Sequence, residues 1–290
     1  MLATFTPVKP ILIIGADGLI GRALVDIFES SGRSVWQTTR RRDEAKDKSI
    51  FLDVSLDSTH WSIPSVPFDV AIICAAVTSL EQCRIEPKKS AQINVAGTVA
   101  LAKYLIRNNT FVVFISSNLV FDGTRPYAKS TDPVSPKTEY GRQKAQAEQE
   151  LLQLGNKVAV VRFAKIVSPD MQLVKGWIRD LRIGRVIHPF SDMLLSPVPL
   201  WFAARVLQCV AERRISGITQ VSAMQDVSYE TVARYLASKL GADPNLVEPI
   251  LYKRSEHSLP QLHTTLDISR LQSELKMEPP DIWETIDSCN

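Results

Sequence analysis

The residues Ile11–Ile14 lead without a break into Gly15-Ala16-Asp17-Gly18-Leu19-Ile20-Gly21, and from Leu19 onward apolar residues recur at helical spacing. A short apolar strand, a G-x-x-G-x-x-G turn and a helix, in that order, leave little choice of fold: this is where a parallel strand hands over to a crossover helix. Gly15 permits the tight turn. Gly18 lets the backbone come close to a pyrophosphate, and Gly21 lets the helix pack closely on the strand. The helix N-terminus adds free N–H groups and the positive end of a dipole. Gly15, Asp17, Gly18, Leu19, Ile20 and Gly21 are therefore read as a cradle for the phosphates of a dinucleotide.

The first half of the chain repeats this unit. Apolar runs at 34–37, 50–52, 70–74, 111–115 and 158–162 are rich in Val, Ile and Phe and bounded by Gly, Pro, Asp or Asn, as buried strands are. They are apolar throughout, which suits a parallel sheet covered on both faces. Helical patterns at 19–29, 90–107 and 139–152 lie among them. The alternation predicts an α/β fold, a doubly wound parallel sheet of the Rossmann type. Near Lys165 the rhythm changes. Helices are expected at 170–182, 200–213, 229–240 and 267–277, strands at 186–187 and 218–221, and a proline-bearing stretch at 193–198. The expected organisation is a dinucleotide-binding domain over 1–164, rejoined by about 200–221, and a smaller C-terminal substrate lobe over most of 165–290.

Composition narrows the function. The chain has 290 residues, 45% apolar and 22% charged, close to the globular average, which rules out a disordered, fibrous or coiled-coil protein. Lys and Arg total 34 against 31 Asp and Glu, too even a balance to point to nucleic acid or a membrane surface. No apolar run reaches the roughly 18 residues of a membrane span, and the N-terminus lacks signal-peptide features. Cys74, Cys83, Cys209 and Cys289 form no C-x-x-C pair. Together these predict a cytoplasmic, reduced, soluble protein. His60, His188, His257 and His263 are scattered without metal spacing, so no metal site is expected, and Trp177 and Trp201 are read as core residues.

The second strand ends in Gln37-Thr38-Thr39-Arg40-Arg41-Arg42. An NAD site of this type usually places Asp or Glu there for the ribose 2′-hydroxyl. None is present, and Arg40 or Arg41 could hold a 2′-phosphate bidentately, so NADP(H) is expected over NAD(H). Asp53, before Val54, could accept from the adenine amino group or serve only as a loop cap. Ala75, Ala76 and Val77 end the fourth strand with small residues, leaving room for a flat cofactor; close packing accounts for them equally.

The fifth strand ends in Ser116-Ser117, and Tyr140-Gly141-Arg142-Gln143-Lys144 opens a predicted helix. Tyr140 and Lys144, at i and i+4, lie on one helix face. An ammonium near a phenol favours the phenolate, which makes Tyr140 a candidate acid or base near neutral pH. Ser117 could hydrogen-bond a substrate oxygen as charge develops on it, and Lys144 could also hold the nicotinamide ribose.

In combination, Gly15, Gly18, Gly21, Asp53, Ala75-Ala76, Asn94, Ser117, Tyr140 and Lys144 resemble the extended short-chain dehydrogenase/reductase family. Ser116-Ser117-Asn118-Leu119-Val120-Phe121-Asp122-Gly123 resembles the S-T-D-Y-V-F-D-G segment of its dTDP-4-dehydrorhamnose reductase branch, and Pro136 before Tyr140 and Arg162 ending the next strand fit that branch. The resemblance implies that Ser117 is the catalytic Thr or Ser, Tyr140 the acid/base and Lys144 its partner. It also implies that Asn94 orders a proton path, unless Asn94 only bonds backbone in a bent helix. The implied activity is nicotinamide-dependent reduction of a nucleotide-linked 4-keto-6-deoxy sugar, by a protein that could be a homodimer. Two positions depart from the branch: Asn118-Leu119 replaces Asp-Tyr, and 163–167 lacks an aromatic-Gly ending. The missing acidic pair counts against a dehydratase. A sugar-nucleotide epimerase uses the same Ser, Tyr and Lys and stays open. So does a non-catalytic dinucleotide-binding regulatory subunit, since the beta subunit of methionine adenosyltransferase shares the branch.

Overall fold

The Ile11–Ile14 strand (β1) is entirely buried, and four aliphatic residues with no exposed face can be satisfied only in the middle of a covered sheet. In the computed structural model, which describes residues 9–45, 47–252 and 262–289, it has that place. After β1 come Leu19–Ser30 (α1), Val35–Thr39 (β2), Ser49–Phe51 (β3), Val70–Ile73 (β4), Leu80–Ile85 (α2), Pro87–Ala91 (α3), Thr98–Arg107 (α4), Phe111–Ser117 (β5), Glu139–Leu152 (α5) and Val158–Phe163 (β6). Then follow Ile166–Val167 (β7), Gln172–Arg182 (α6), Leu194–Leu195 (β8), Val198–Pro199 (β9), Leu200–Arg213 (α7), Gly217–Val221 (β10), Val227–Ser228 (β11), Tyr229–Leu240 (α8) and Ile282–Asp287 (α9).

Seven strands form one sheet in the order β10-β6-β5-β4-β1-β2-β3. The pairs β1–β2, β2–β3, β1–β4 and β4–β5 are parallel. Strand order reverses between β1 and β4, and in such sheets ligands bind beyond the carboxyl ends of the strands at that reversal. The glycine turn leaves β1 there.

Two compact units are distinguished. The first is Met1–Ser116, Arg142–Val161 and Ala204–Ile218; the second is Ser117–Gly141, Arg162–Ala203 and Thr219–Asn290. In the first, Leu12, Ile14, Ile73, Phe114, Leu101, Leu105 and Val160 form the buried core, and Trp36 sets its ring edge-on to Phe68 at 6.0 Å. In the second, Val174, Trp177, Leu181, Leu236 and Ile286 are packed together. Trp177 is core as expected, edge-on to Tyr229. Trp201 is not: it is 51% exposed, touching Phe202 by its ring edge on the open side of α7. His257 lies outside the described residues. Among the described residues no helix is long and apolar enough to cross a membrane.

The helix expected over 90–107 is interrupted. Gln92–Gly97 forms a π-helical segment between α3 and α4, and at Gly97 any Cβ would overlap the Val54 carbonyl oxygen. The backbone approaches too closely there for a side chain, and the wider turn absorbs the misfit. A similar π-helical segment, Leu271–Leu275, lies within the helix expected at 267–277 and ends at Lys276 with φ +59°. Two short helices carry too little periodicity to be read in advance. One is α2, capped by Ser79, whose Oγ accepts from Gln82 N; the other is α9, capped by Asp281.

Candidate active site

The three glycines of the turn are there for different reasons. Gly15 has φ +83°, its N–H donates to Thr38 Oγ1 at 2.9 Å, and a Cβ would lie 2.8 Å from Ala75 N. At Gly21 a Cβ would overlap Gly15 O and stand 2.7 Å from Ala16 Cα. The fold itself demands both. Gly18 has φ −77°, open to any residue, and its Cβ would meet only Gly15 O at 3.4 Å. Space is left at that position alone, and α1 begins there with no side-chain cap on its first N–H groups. An uncapped helix start beside an open glycine suits a phosphate group, so the residues present fit a dinucleotide. Asp17 Oδ2 accepts from Thr39 Oγ1 at 2.9 Å, tying the turn to the end of β2. Leu19 is exposed and Ile20 half-buried.

At the end of β2 the arginines divide. Arg41 pairs with Glu44 at 2.6 Å, which raises its pKa. Arg42 lies 4.1 Å over the Phe51 ring. Arg40 is exposed, and its guanidinium has no ion pair among the described residues. Asp53 spends Oδ1 on Ser55 N (2.9 Å) and Ser55 Oγ (2.7 Å), so one carboxylate oxygen closes a local turn. Val54 is buried.

The turn after β4 is held from behind. Asn94, fully buried in the π-helical segment, accepts from Val77 N at 2.8 Å and donates to Val77 O at 3.0 Å. It also donates to Gln143 Oε1 at 2.8 Å. Asn94 thus bonds backbone in a bent helix and fixes the Ala75, Ala76 and Val77 turn. Gln143 is a residue that the sequence reading missed; a glutamine just before a lysine on a helix gives no signal of its own.

Lys144 is 3% exposed. Its ammonium donates to Ile115 O at 2.9 Å and stands 4.5 Å over the Phe114 ring. Burial pulls its pKa down to about 8, against a smaller opposite pull from Glu148. The neighbouring Cys74 thiol is pushed up to about 12 by burial, so it stays protonated and inert.

Ser117 and Tyr140 belong to the second unit. Ser117 Oγ accepts from Leu119 N at 3.2 Å and donates to Asn118 Oδ1 at 3.3 Å, capping the short turn after β5. That turn rests on the start of α5: a Cβ at Gly141 would overlap Leu119 O, and Thr138 Oγ1 accepts from Gly141 N at 3.0 Å. The glycine after Tyr140 brings the Ser117 turn and Tyr140 together. Tyr140 is 9% exposed. The buried Oγ of Ser116, the residue before Ser117, has no hydrogen-bond partner among the described residues. Arg162 is also buried, donating to Gln220 Oε1 at 3.2 Å and lying 5.0 Å over the Phe121 ring.

The family model described as "RmlD substrate binding domain" matches residues 9–289. The chain is 27% identical over 294 residues to the dTDP-4-dehydrorhamnose reductase of Aggregatibacter actinomycetemcomitans, covering 94% of this chain and 95% of that one. It is 33% identical over 159 residues to methionine adenosyltransferase 2 subunit beta of Mus musculus, covering 54% of this chain and 46% of that one. The fold superposes with a TM-score of 0.84 on a crystal structure of dTDP-4-dehydrorhamnose reductase from Bacillus anthracis in complex with NADP, at 21% identity over 96% of each chain. With nearly its whole length matched, and with the strand–glycine turn–helix, the Ser117 segment and the Tyr140–Lys144 spacing in place, the chain belongs to the RmlD substrate binding domain family of sugar-nucleotide reductases.

Proposed function

We propose that the protein reduces the keto group of a nucleotide-linked 4-keto-6-deoxy sugar with a nicotinamide dinucleotide, NADPH in preference to NADH. The observation that carries this reading is Lys144: a lysine only 3% exposed, its ammonium tethered to the Ile115 carbonyl, one helical turn after Tyr140. A buried lysine costs stability, and strongly perturbed groups collect where chemistry is done.

When bound, the dinucleotide supplies a hydride to the keto carbon. Tyr140 donates its phenolic proton to the keto oxygen. Lys144, still charged at neutral pH, stabilises the phenolate left behind and holds the nicotinamide ribose. Ser117 turns its hydroxyl from the local cap to the oxygen on which charge develops. Gly18 and the uncapped start of α1 receive the pyrophosphate, with Asp53, Val54 and the Ala75–Val77 turn along the rest of the cofactor. Arg40, with its guanidinium uncommitted, receives the 2′-phosphate. Residues 165–290 supply most of the sugar recognition. Cys74, Cys83, Cys209 and Cys289 form no disulfide among the described residues, which suits a reducing, cytoplasmic setting. The test is loss of NADPH absorbance with a panel of dTDP- and UDP-linked 4-keto-6-deoxy sugars. Turnover of one of them is expected; none, with dinucleotide still bound, sinks the reductase reading.

A second reading has two observations behind it. Asn118-Leu119 stands where the reductase branch has Asp-Tyr, and the 33% match to the methionine adenosyltransferase beta subunit covers 54% of this chain. A non-catalytic dinucleotide-binding subunit would bind NADPH in the same assay without consuming it.

A further inference from the structure

We propose that Gln143 is a positioning residue that links the dinucleotide turn to the helix carrying Lys144. This goes beyond the proposed reduction but rests on the dinucleotide binding it assumes.

Gln143 is 2% exposed and precedes Lys144 on α5. Both ends of its amide are engaged. Oε1 accepts from Asn94 Nδ2 at 2.8 Å; Nε2 donates to Ser90 Oγ at 2.8 Å and to Pro87 O at 3.2 Å. Asn94 in turn holds both the N–H and the C=O of Val77. Two residues earlier, Ala75 is the backbone against which Gly15 is packed, at a distance that leaves no room for a Cβ. These contacts form an unbroken path: the phosphate turn at Gly15, the Ala75–Val77 turn, Asn94, Gln143, and then Lys144 as the next residue of the same helix.

From Val77 to Gln143 the path is hydrogen-bonded, and Asn94, Gln143 and Ser90 are buried, so that part of it has one low-energy arrangement. An apolar side chain at 143 would leave one buried N–H of Asn94 with only the Cys83 sulfur, a weak acceptor at 3.8 Å, which favours its movement. Because Asn94 holds Val77 from both sides, such movement is felt first at the turn and only then at the cofactor. Gln143 touches neither substrate nor cofactor in this account. It sets the turn on which the cofactor lies and keeps that turn in register with Lys144.

The test uses the full-length protein with Gln143→Met, which keeps length and loses the three side-chain hydrogen bonds to Asn94, Ser90 and Pro87, and Gln143→Glu, which keeps the acceptor for Asn94. Amide hydrogen exchange at Val77 is measured without ligand, and NADPH affinity by titration. Gln143→Met should speed Val77 exchange and weaken NADPH binding roughly 3- to 30-fold, the range of such couplings. Gln143→Glu should restore protection at Val77 and much of the affinity. If Gln143→Met does not fold, Ser90→Ala, which removes the Oγ that Gln143 Nε2 bonds, should give the same changes in smaller measure. Unchanged Val77 exchange in the folded variants overturns the inference. So does faster exchange with unaltered NADPH affinity. Failure of the wild-type protein to bind any dinucleotide instead overturns the proposed function, and the exchange measurement still decides whether Gln143 sets the turn.

Discussion

The Lys144 ammonium donates to the main-chain oxygen of Ile115 at 2.9 Å, so the last turns of β5 and the first turns of α5 are joined by a charged group out of contact with water. Burial brings its pKa from 10.5 to about 8, and this has two measurable consequences. If the ammonium is required, kcat/KM should fall as pH rises through about 8, and Lys144→Arg, charged throughout, should abolish that fall. The second is a stability effect. Between about 8 and 10.5 the unfolded lysine binds a proton that the folded one has released, so stability relative to Lys144→Met should rise with pH across that window. Denaturant titrations of both proteins at the two ends of the window check it; a constant difference would mean that the pKa is not depressed.

Tyr140→Phe keeps the ring in its nearly buried place and removes the proton. Reduction should drop by about 10²- to 10⁴-fold, as for loss of a general acid, with NADPH affinity unchanged. Steady-state rates and a binding titration on the same preparation separate the two. Wild-type turnover by Tyr140→Phe would assign the proton to another group.

Arg40 and Arg41 should not be equivalent. Arg41 is committed to Glu44, so Arg41→Ala should disturb NADPH and NADH binding little. Arg40→Ala should weaken NADPH by about tenfold, the worth of a modest charged hydrogen bond, and leave NADH alone. Equal losses for both dinucleotides in either variant would show that the arginines only coat the surface.

The glycines of the turn should also separate. Gly21→Ala forces a methyl group into Gly15 and should cost about 1–3 kcal/mol or more by thermal or denaturant unfolding. Gly18→Ala meets ordinary contact at 3.4 Å with an unstrained φ, so stability should stay within about 1 kcal/mol while dinucleotide affinity falls. A Gly18→Ala protein that still binds NADPH at full strength would remove that position from the cofactor site.

The sheet is legible because its signals are local: residues 11–14, 70–73 and 111–115 are apolar throughout, as covered strands are. The glycine turn was legible because it has to be a turn. What escaped depended on contacts between residues far apart in sequence. The π-helical segment exists because Gly97 meets Val54, 43 positions earlier in the numbering, and Gln143 matters because Asn94 reaches it. Trp201 reads as core from its place in a predicted helix, yet α7 turns that position to solvent. Arg40 and Arg41 are equivalent candidates in sequence; the ion pair of Arg41 with Glu44 sets them apart.

Each compact unit is assembled from three separate stretches, so the chain passes between them five times, at 116/117, 141/142, 161/162, 203/204 and 218/219. A fragment ending at 164 would lack β10, the edge strand beside β6. Neither unit can be excised as one continuous piece of gene, nor exchanged as a cassette with a relative's. The two are inherited together in one reading frame. Under the proposed function, a change of sugar specificity falls within 117–141, 162–203 and 219–290, stretches interleaved in sequence with those that carry the glycine turn.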